Sequence, residues 1–313
     1  MRTGLQPGSK APSGVVFLDK ARGVSSFAAL AAVKRAVGTR KVGHTGTLDP
    51  FATGMLLALV GPATRCARYF NGLSKDYLAV VRFGSETDTD DATGAVVRSA
   101  ALPSEDRIRA AIDTFRGTID QVPPAYSAVH VNGRRAHEIA RTGQAPAVRS
   151  RRVEVHRLEV QDVTGGAEGV QTIALAISCS AGTYVRSIAR DLGRCIDSAA
   201  HAQSLRRTGI GPFTIDLAVP SETVDGVRDL RGLASVLAHL PGIGIARVPP
   251  GLVRDVVHGR PVSAREIEMV RRHGEETADL IALVCDEQVL AVGPVRDGLV
   301  RYDMVLVPGD VRG

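Results

Sequence analysis

Two spacings of apolar residues alternate along this chain. In residues 75–84, KDYLAVVRFG, Tyr77, Ala79, Val81 and Phe83 take every second position, the period that places side chains on one face of a strand. Residues 172–179 repeat the pattern with Ile173, Leu175, Ile177 and Cys179. Val15–Lys20 reads as a short strand, with Gly23 marking the turn beyond it. Elsewhere the spacing is helical. Ser25 or Ser26 caps a helix with Phe27, Leu30, Val33 and Val37 on one side, and Gly38 stops it. Ser104 caps another with Ile108, Ala111, Ile112 and Phe115, ended by Gly117. At Ser180–Thr183 the period lengthens to that of a helix, and Val185, Ile188, Ala189, Leu192 and Ile196 follow, so Tyr184 and Arg186 sit where a strand hands over to a helix.

Asp49–Pro50 also has the form of a helix start. An aspartate can cap free N–H groups, and proline at the first helical position has none to lose. The apolar run from Met55 to Val60, closed by Gly61–Pro62, would be that buried element. Gly43 and Gly46, on either side of His44, predict a tight loop. Pro123 and Pro124 prevent a helix there. Beyond Val219–Pro220–Ser221 a connecting region leads to a short helix over Pro249–His258 and hairpin-like runs at 280–285, 289–293 and 299–307.

A chain of 313 residues, 44% apolar and 23% charged, can build one large soluble domain and a small one. No apolar run approaches the roughly 20 residues of a membrane helix. The N-terminal residues lack the apolar core of a signal peptide, so positions 1–13 read as a flexible tail and the protein as cytoplasmic. Cys66, Cys179, Cys195 and Cys285 form no CxxC pair and no zinc spacing with histidine, which predicts neither disulfide nor metal, with Cys179 a buried reduced thiol. The acidic turn at 85–91, SETDTDD, lacks the distant bidentate glutamate of a calcium loop.

Charge changes the picture. The net +6 is uneven: residues 247–313 hold nine arginines against eleven acids, so the excess lies upstream. Residues 134–157 carry seven arginines against Glu138 and Glu154. Such a run is either a solvated face or a phosphate grip. Its single sign and its preference for arginine suit phosphate. Nucleic acid fits better than a membrane, because no amphipathic basic helix with bulky apolar anchors accompanies the run.

Candidate chemistry gathers at Lys41–Gly54, where an imidazole, a lysine and a carboxylate crowd one short stretch. Taken singly, Asp49 is a cap and turn former, His44 a packing histidine, Tyr77 as much sheet packing as function, and Arg186 a surface helix residue. The string GHTGTLDPFATGML at 43–56, however, resembles the active-site motif of the TruB family, the bacterial tRNA pseudouridine-55 synthases. KDY at 75–77 resembles that family's second motif and GTYVRSIARDLG at 182–193 its third, while Ser204–Thr208 matches its LRR stretch. The resemblance implies that Asp49 is catalytic, acting ionised by attack on C1′ or by taking the C2′ proton. It implies that Tyr77 stacks on the target base, Tyr184 contacts the target nucleotide, Arg186 pairs with Asp49 and Leu205 lines the uracil pocket. His44 would fill the T-loop position that the flipped nucleotide vacates. Lys20, Arg151 and Arg152 are taken as further substrate contacts.

The resemblance is close over 14–215 and looser beyond. It implies an α+β fold: a pseudouridine synthase catalytic domain over 14–245, with a mixed, largely antiparallel sheet and a central cleft. An RNA-gripping insertion spans about 123–152, and a small β-rich PUA-like domain spans 246–313, although the net acidity there departs from that of an RNA grip. The implied substrate is the T-arm of tRNA, bound by a monomer. Turning a uracil from an N1–C1′ to a C5–C1′ linkage adds no atom but an exchanged proton, so no cofactor is implied. A non-catalytic tRNA-binding or tRNA-folding protein on the same scaffold is the alternative. A methyltransferase is disfavoured because no glycine-rich nucleotide turn follows the first strand.

Overall fold

The structure, a computed structural model, describes residues 12–271 and 279–306. The tail expected over 1–13 therefore lies almost wholly outside the described residues, as does position 307 of the last run. In chain order the elements that frame the site are β1 (Gly14–Lys20), α1 (Ser26–Val37), β2 (Val42–Thr45), β3 (Thr53–Val60), β4 (Lys75–Phe83), α2 (Glu105–Ile112), β5 (Gly117–Gln121), β6 (Arg151–Gly166), β7 (Gly169–Cys179), α3 (Val185–Cys195) and β8 (Ala200–Ile210).

The helix signals hold in their caps and in most of their buried face, but Phe27, expected on that face, is 73% exposed beside Lys34, and Phe115 lies in a short turn (Asp113–Phe115) past the end of α2. Ser25 caps α1, accepting a hydrogen bond from the Ala28 N–H, and Gly38 closes it in the left-handed conformation. Ser104 caps α2 in the same way. The strand signals hold as well. Lys75, Tyr77, Ala79, Val81 and Phe83 are the buried face of β4, while Leu78 and Arg82 lie exposed on the other.

The Asp49–Pro50 reading is corrected. The apolar run that follows is not a helix but β3, and the residues just after Asp49 form a turn closed by the Ala52 N–H donating to the Asp49 carbonyl at 3.1 Å. The physical reason is burial on both faces. β3 lies between β1 and β8 with Gly54 to Val60 all buried, so no alternation marks it as a strand. Likewise His44 lies on β2, paired with Ala58 of β3, rather than in a tight loop; the sharp bend comes at Gly46 (φ 70°). The acidic stretch at 85–91 opens with a three-residue strand, Ser85–Thr87, and buries Asp90 and Asp91.

These strands build one mixed sheet in the order β1–β3–β8–β4–β7–β6–β5, with β2 beside β3, a short strand at Val219–Pro220 on the β1 edge and another at Phe213–Thr214 paired with the end of β8. Antiparallel pairing dominates. The parallel junctions are β1 with Val219–Pro220 and, at the middle, β3 with β8 through Arg206↔Thr53 and Arg207↔Gly54. This central junction demands glycine: a Cβ on Gly54 (φ 105°) would lie 2.2 Å from the Arg207 carbonyl oxygen. A cleft is lined by the lead-in to β3 (Gly46–Phe51), the first residues of β4 and the middle of β8.

A second sheet of five strands includes Ile243–Arg247, Leu280–Cys285 and Gln288–Gly293, the last two a hairpin as the pattern predicts. The expected helix at Pro249–His258 is present as a short turn over Pro250–Leu252 and a helix over Val253–Val257. The 299–307 run is broken into Leu299–Val300 and Met304–Val305, which belong to different sheets. The second sheet packs on the first: Ala282, Val284, Val292 and Met304 share a core with Phe17, Met55, Phe70 and Phe213.

Candidate active site

Five polar or backbone contacts hold the turn that carries Asp49. The Ser26 hydroxyl donates to the Leu48 carbonyl (2.9 Å) and accepts from the Leu48 N–H (2.8 Å). The Gly23 N–H donates to the Pro50 carbonyl at 2.7 Å. Arg207, fully buried, donates through Nη2 to the Gly46 carbonyl (2.9 Å) and through Nε to the Met55 carbonyl (2.7 Å), bracketing the turn from both sides. The result is a carboxylate on a rigid support, a precondition for precise chemistry.

Opposite Asp49 stands Arg186, on the first turn of α3. Its Nε lies 2.9 Å from Asp49 Oδ2, with the guanidinium 3% exposed and the carboxylate one-third exposed to the cavity. The remaining Arg186 nitrogens are also engaged: Nη1 donates to the Thr89 carbonyl (2.7 Å) and lies 3.5 Å from Asp91 Oδ2, and Nη2 donates to the Tyr126 carbonyl (3.0 Å). Asp91 is in turn held by Thr89 and Thr93, whose hydroxyls donate to its Oδ1 at 2.9 and 2.5 Å.

This pair borders a cavity of about 680 Å³, lined among others by Tyr77, Tyr126, Tyr184, Leu205, Lys75 and Arg207. Tyr77 and Leu205 are nearly buried, so each shows the cavity only a small apolar face. Burial pushes the Tyr77 hydroxyl above its ordinary range, so it stays a neutral ring. Lys75, which donates to the Asn71 carbonyl at 2.9 Å and to the Leu73 carbonyl, is brought down to about 8 by burial and then by the Arg207 charge. The floor is therefore cationic and the walls aromatic.

Of the residues singled out in the sequence, the structure gathers Asp49, Tyr77, Tyr184, Arg186, Leu205 and Arg151 around this one cavity. Tyr184 is set by Gln121, which bonds both its N–H (2.8 Å) and its carbonyl (3.0 Å), and Arg151 lies 4.7 Å above its ring. Three others sit elsewhere. Lys20 does not line the cavity, contrary to the substrate contact expected of it. It is wholly buried, its ammonium donating to the carbonyls of Ala21 (3.0 Å), Val24 (2.7 Å) and Ala52 (2.6 Å), so it props the turn from behind. Burial outweighs the attraction of Asp49 and brings Lys20 down to about 8. Arg152 is exposed, 4.0 Å from Asp120, and lies outside the cavity. His44 is not among the lining residues; it is half-buried, with Nδ1 unpartnered, and burial, then the Arg207 charge, lowers its pKa.

Sequence reasoning missed Asp91, which it read as part of an acidic turn, and the roles of Lys75 and Arg207 beneath Tyr77. It also missed Ser127, whose buried, unpartnered hydroxyl belongs to a lining residue. The signal available was the Asp90–Asp91 pair set among threonines, a composition suited to internal hydrogen bonding. The segment after Pro124 contributes Arg135, His137 and Arg141 to the cavity rim, from a hairpin (His130–Val131 with Arg134–Arg135) and a short helix (Ala136–Ala140).

Comparison with known proteins decides the family. Residues 34–185 match the model of the TruB family pseudouridylate synthase N-terminal domain. The tRNA pseudouridine synthase B of Aromatoleum aromaticum is 40% identical over 273 residues, covering 84% of this chain and 85% of that one. The chain belongs to the TruB family. Its TruB relatives include the tRNA pseudouridine synthase B of an Arthrobacter species, 45% identical over 209 residues, 66% of this chain and 68% of that one. The fold is also that of a chain in a Cbf5–Nop10–Gar1 complex, with a TM-score of 0.67 at 24% identity over 94% of this chain and 85% of that one. The TruB match spans the turn of Asp49, all of β4 and the first residue of α3, so Asp49 and Asp91 lie within the matched region and Arg186 one position beyond its end. Among the described residues no helix is long and apolar enough to cross a membrane.

Proposed function

We propose that this chain is a tRNA pseudouridine synthase that isomerises uridine-55 in the T-arm, with Asp49 as its catalytic residue. The observation that carries this reading is the Asp49 carboxylate, ion-paired at 2.9 Å to a buried guanidinium and presented to a cavity with aromatic walls. A uridine inside a folded T-loop is out of reach of any side chain until it is flipped out, at a cost of a few kcal/mol. Stacking on an aromatic ring returns about 1–3 kcal/mol per base. Tyr77 supplies that ring, Leu205 and Tyr184 close the pocket, and His44, outside the cavity and short of a partner on Nδ1, takes the place of the extruded nucleotide. Arg151 and the other arginines of the 123–152 insertion grip phosphate.

The reaction is an internal transfer. The N1–C1′ bond breaks, the freed uracil turns within the pocket, C5 bonds to C1′, the C5 proton passes to solvent and N1 gains one. Asp49 acts as an anion on the ribose side of that exchange, and Arg186 keeps its charge oriented. Lys75 and Arg207, below the ring, face the negative charge that the detached uracil carries. This reading divides the chain into a catalytic domain over 14–245 and a PUA-like domain over 246–313, working as a monomer in the cytoplasm with its tRNA.

The test is tritium release from tRNA carrying [5-³H]uridine. Release that Asp49→Asn abolishes supports the reading. Unchanged tRNA binding without release from the unmodified chain would mark a tRNA-binding or tRNA-folding protein instead.

A further inference from the structure

One turn along α3 from Arg186, a second arginine repeats its pattern of contacts without touching the cavity. Arg190 Nη1 donates to Asp90 Oδ2 at 2.7 Å, with both side chains 8% exposed. Its Nη2 donates to the Val122 carbonyl at 2.9 Å, and its Nε to Asp191 Oδ1 at 2.8 Å. Arg186 reaches Thr89, Asp91 and Tyr126. The two arginines thus bind the same two segments, the 89–91 turn and the 122–126 stretch, at consecutive turns of one helix. Neither Arg190 nor Asp90 lines the cavity.

The backbone of the 89–91 turn is held by the Asp90 N–H donating to the Thr87 carbonyl (3.1 Å) and the Ala202 N–H donating to the Asp90 carbonyl (3.0 Å), and the two arginines add a side-chain hold from α3. Asp90 has φ 58°, in the left-handed region that side chains other than glycine adopt at a cost. Its two chain neighbours are the ones that meet Arg186, so rotation about Asp90 would swing the Thr89 carbonyl and the Asp91 carboxylate away from that guanidinium together. A buried ion pair adds little net stability compared with apolar packing, and in some proteins its role is to select one geometry.

We infer that Arg190 and Asp90 form a second staple that positions Arg186 against Asp49, making Arg190 a positioning residue for the reaction. This rests on the isomerisation proposed above. The charged groups acting on Asp90 are Arg186, Arg190 and Arg194 from α3 and Glu86 from the Ser85–Thr87 strand; Asp191 pairs with Arg190, and Glu86 is also held by Arg98 of the Val96–Ser99 strand. Burial outweighs the arginines and raises Asp90 to about 6. Acidification through that range weakens the staple by discharging one end of it.

The experiment measures kcat and KM by tritium release from T-arm RNA containing [5-³H]uridine, from pH 5 to 8.5, for the unmodified chain, Arg190→Gln, Arg190→Lys, Asp90→Asn and Asp49→Asn. We expect Arg190→Gln to lower kcat about 10- to 100-fold, the loss typical of a slightly misplaced catalytic group, with KM unchanged. Arg190→Lys recovers part of it. Asp90→Asn, nearly isosteric and able to carry the test should Arg190→Gln not fold, has at pH 8 the reduced kcat that the unmodified chain reaches only below pH 6, so its profile is flat across that range. A kcat for both variants within about twofold of the unmodified chain, with an unaltered pH profile, would overturn the inference. So would a rise in KM at constant kcat, which would make the pair an RNA contact. Release that Asp49→Asn abolishes and these variants leave untouched sinks the staple alone, whereas no release from the unmodified chain sinks the isomerisation and the staple with it.

Discussion

Replacing Arg186 by alanine strikes at the contact on which the proposed chemistry depends. The substitution removes the ion pair to Asp49, leaves Asp91 (6% exposed) without its guanidinium, and frees the Thr89 and Tyr126 carbonyls. Breaking a buried pair by deleting one partner costs about 3–5 kcal/mol. Asp91 accounts for most of that, because Asp49 is one-third exposed and water can take the place of its partner. At this chain length the loss lowers the melting temperature by an amount on the order of 10 °C. Turnover suffers separately. An electrostatic partner aimed at a reacting group is worth about 10²–10³ in kcat, or roughly 3–4 kcal/mol, so Arg186→Ala should approach the inactivity of Asp49→Ala. Arg186→Lys, with one ammonium in place of a fork, can face Asp49 or Asp91 but not both, and should fall between. Single-turnover tritium release on folded protein, judged by circular dichroism, is the assay. Arg186→Ala turning over within about tenfold of the unmodified chain would refute the reasoning.

Three further outcomes follow from the same geometry. Gly54→Ala drives a Cβ to 2.2 Å from the Arg207 carbonyl in a left-handed backbone, so β3 and β8 must part; thermal melts should show a loss of more than about 3 kcal/mol. Lys20→Met strands three carbonyls and should cost roughly 2–4 kcal/mol together with turnover. Because folding lowers Lys20 from 10.5 to about 8, the folded state releases its proton first, so the stability of the unmodified chain relative to Lys20→Met rises with pH from about 8 to 10.5, as denaturant melts at several pH values would reveal. Arg151→Ala removes a cation from the rim beside Tyr184, and the dependence of tRNA affinity on log salt should become shallower by about 0.7–0.9 for each phosphate no longer neutralised, with kcat retained.

Local spacing determined much of this protein. The two-residue period of β4 and β7, the serine caps of α1 and α2 and the glycine that ends α1 need only neighbouring residues, because each reports a face or a terminus that the backbone presents whatever surrounds it. Motif resemblance singled out Asp49, Tyr77, Tyr184, Arg186 and Leu205, and the fold brings them to one cavity.

Tertiary structure decided the rest. Thr53–Val60 is a strand because neighbours cover both its faces, and that covering leaves no periodic trace to read. Lys20 does not line the cavity because the turn behind Asp49 offers it three carbonyls, a feature of the closed turn rather than of any local run. Asp90 and Asp91 read only as part of an acidic turn until α3, about a hundred positions later, sets Arg186 and Arg190 against them. Charge in a sequence states only what a side chain carries; whether it meets water or another charge is settled by which distant helix the fold lays across it.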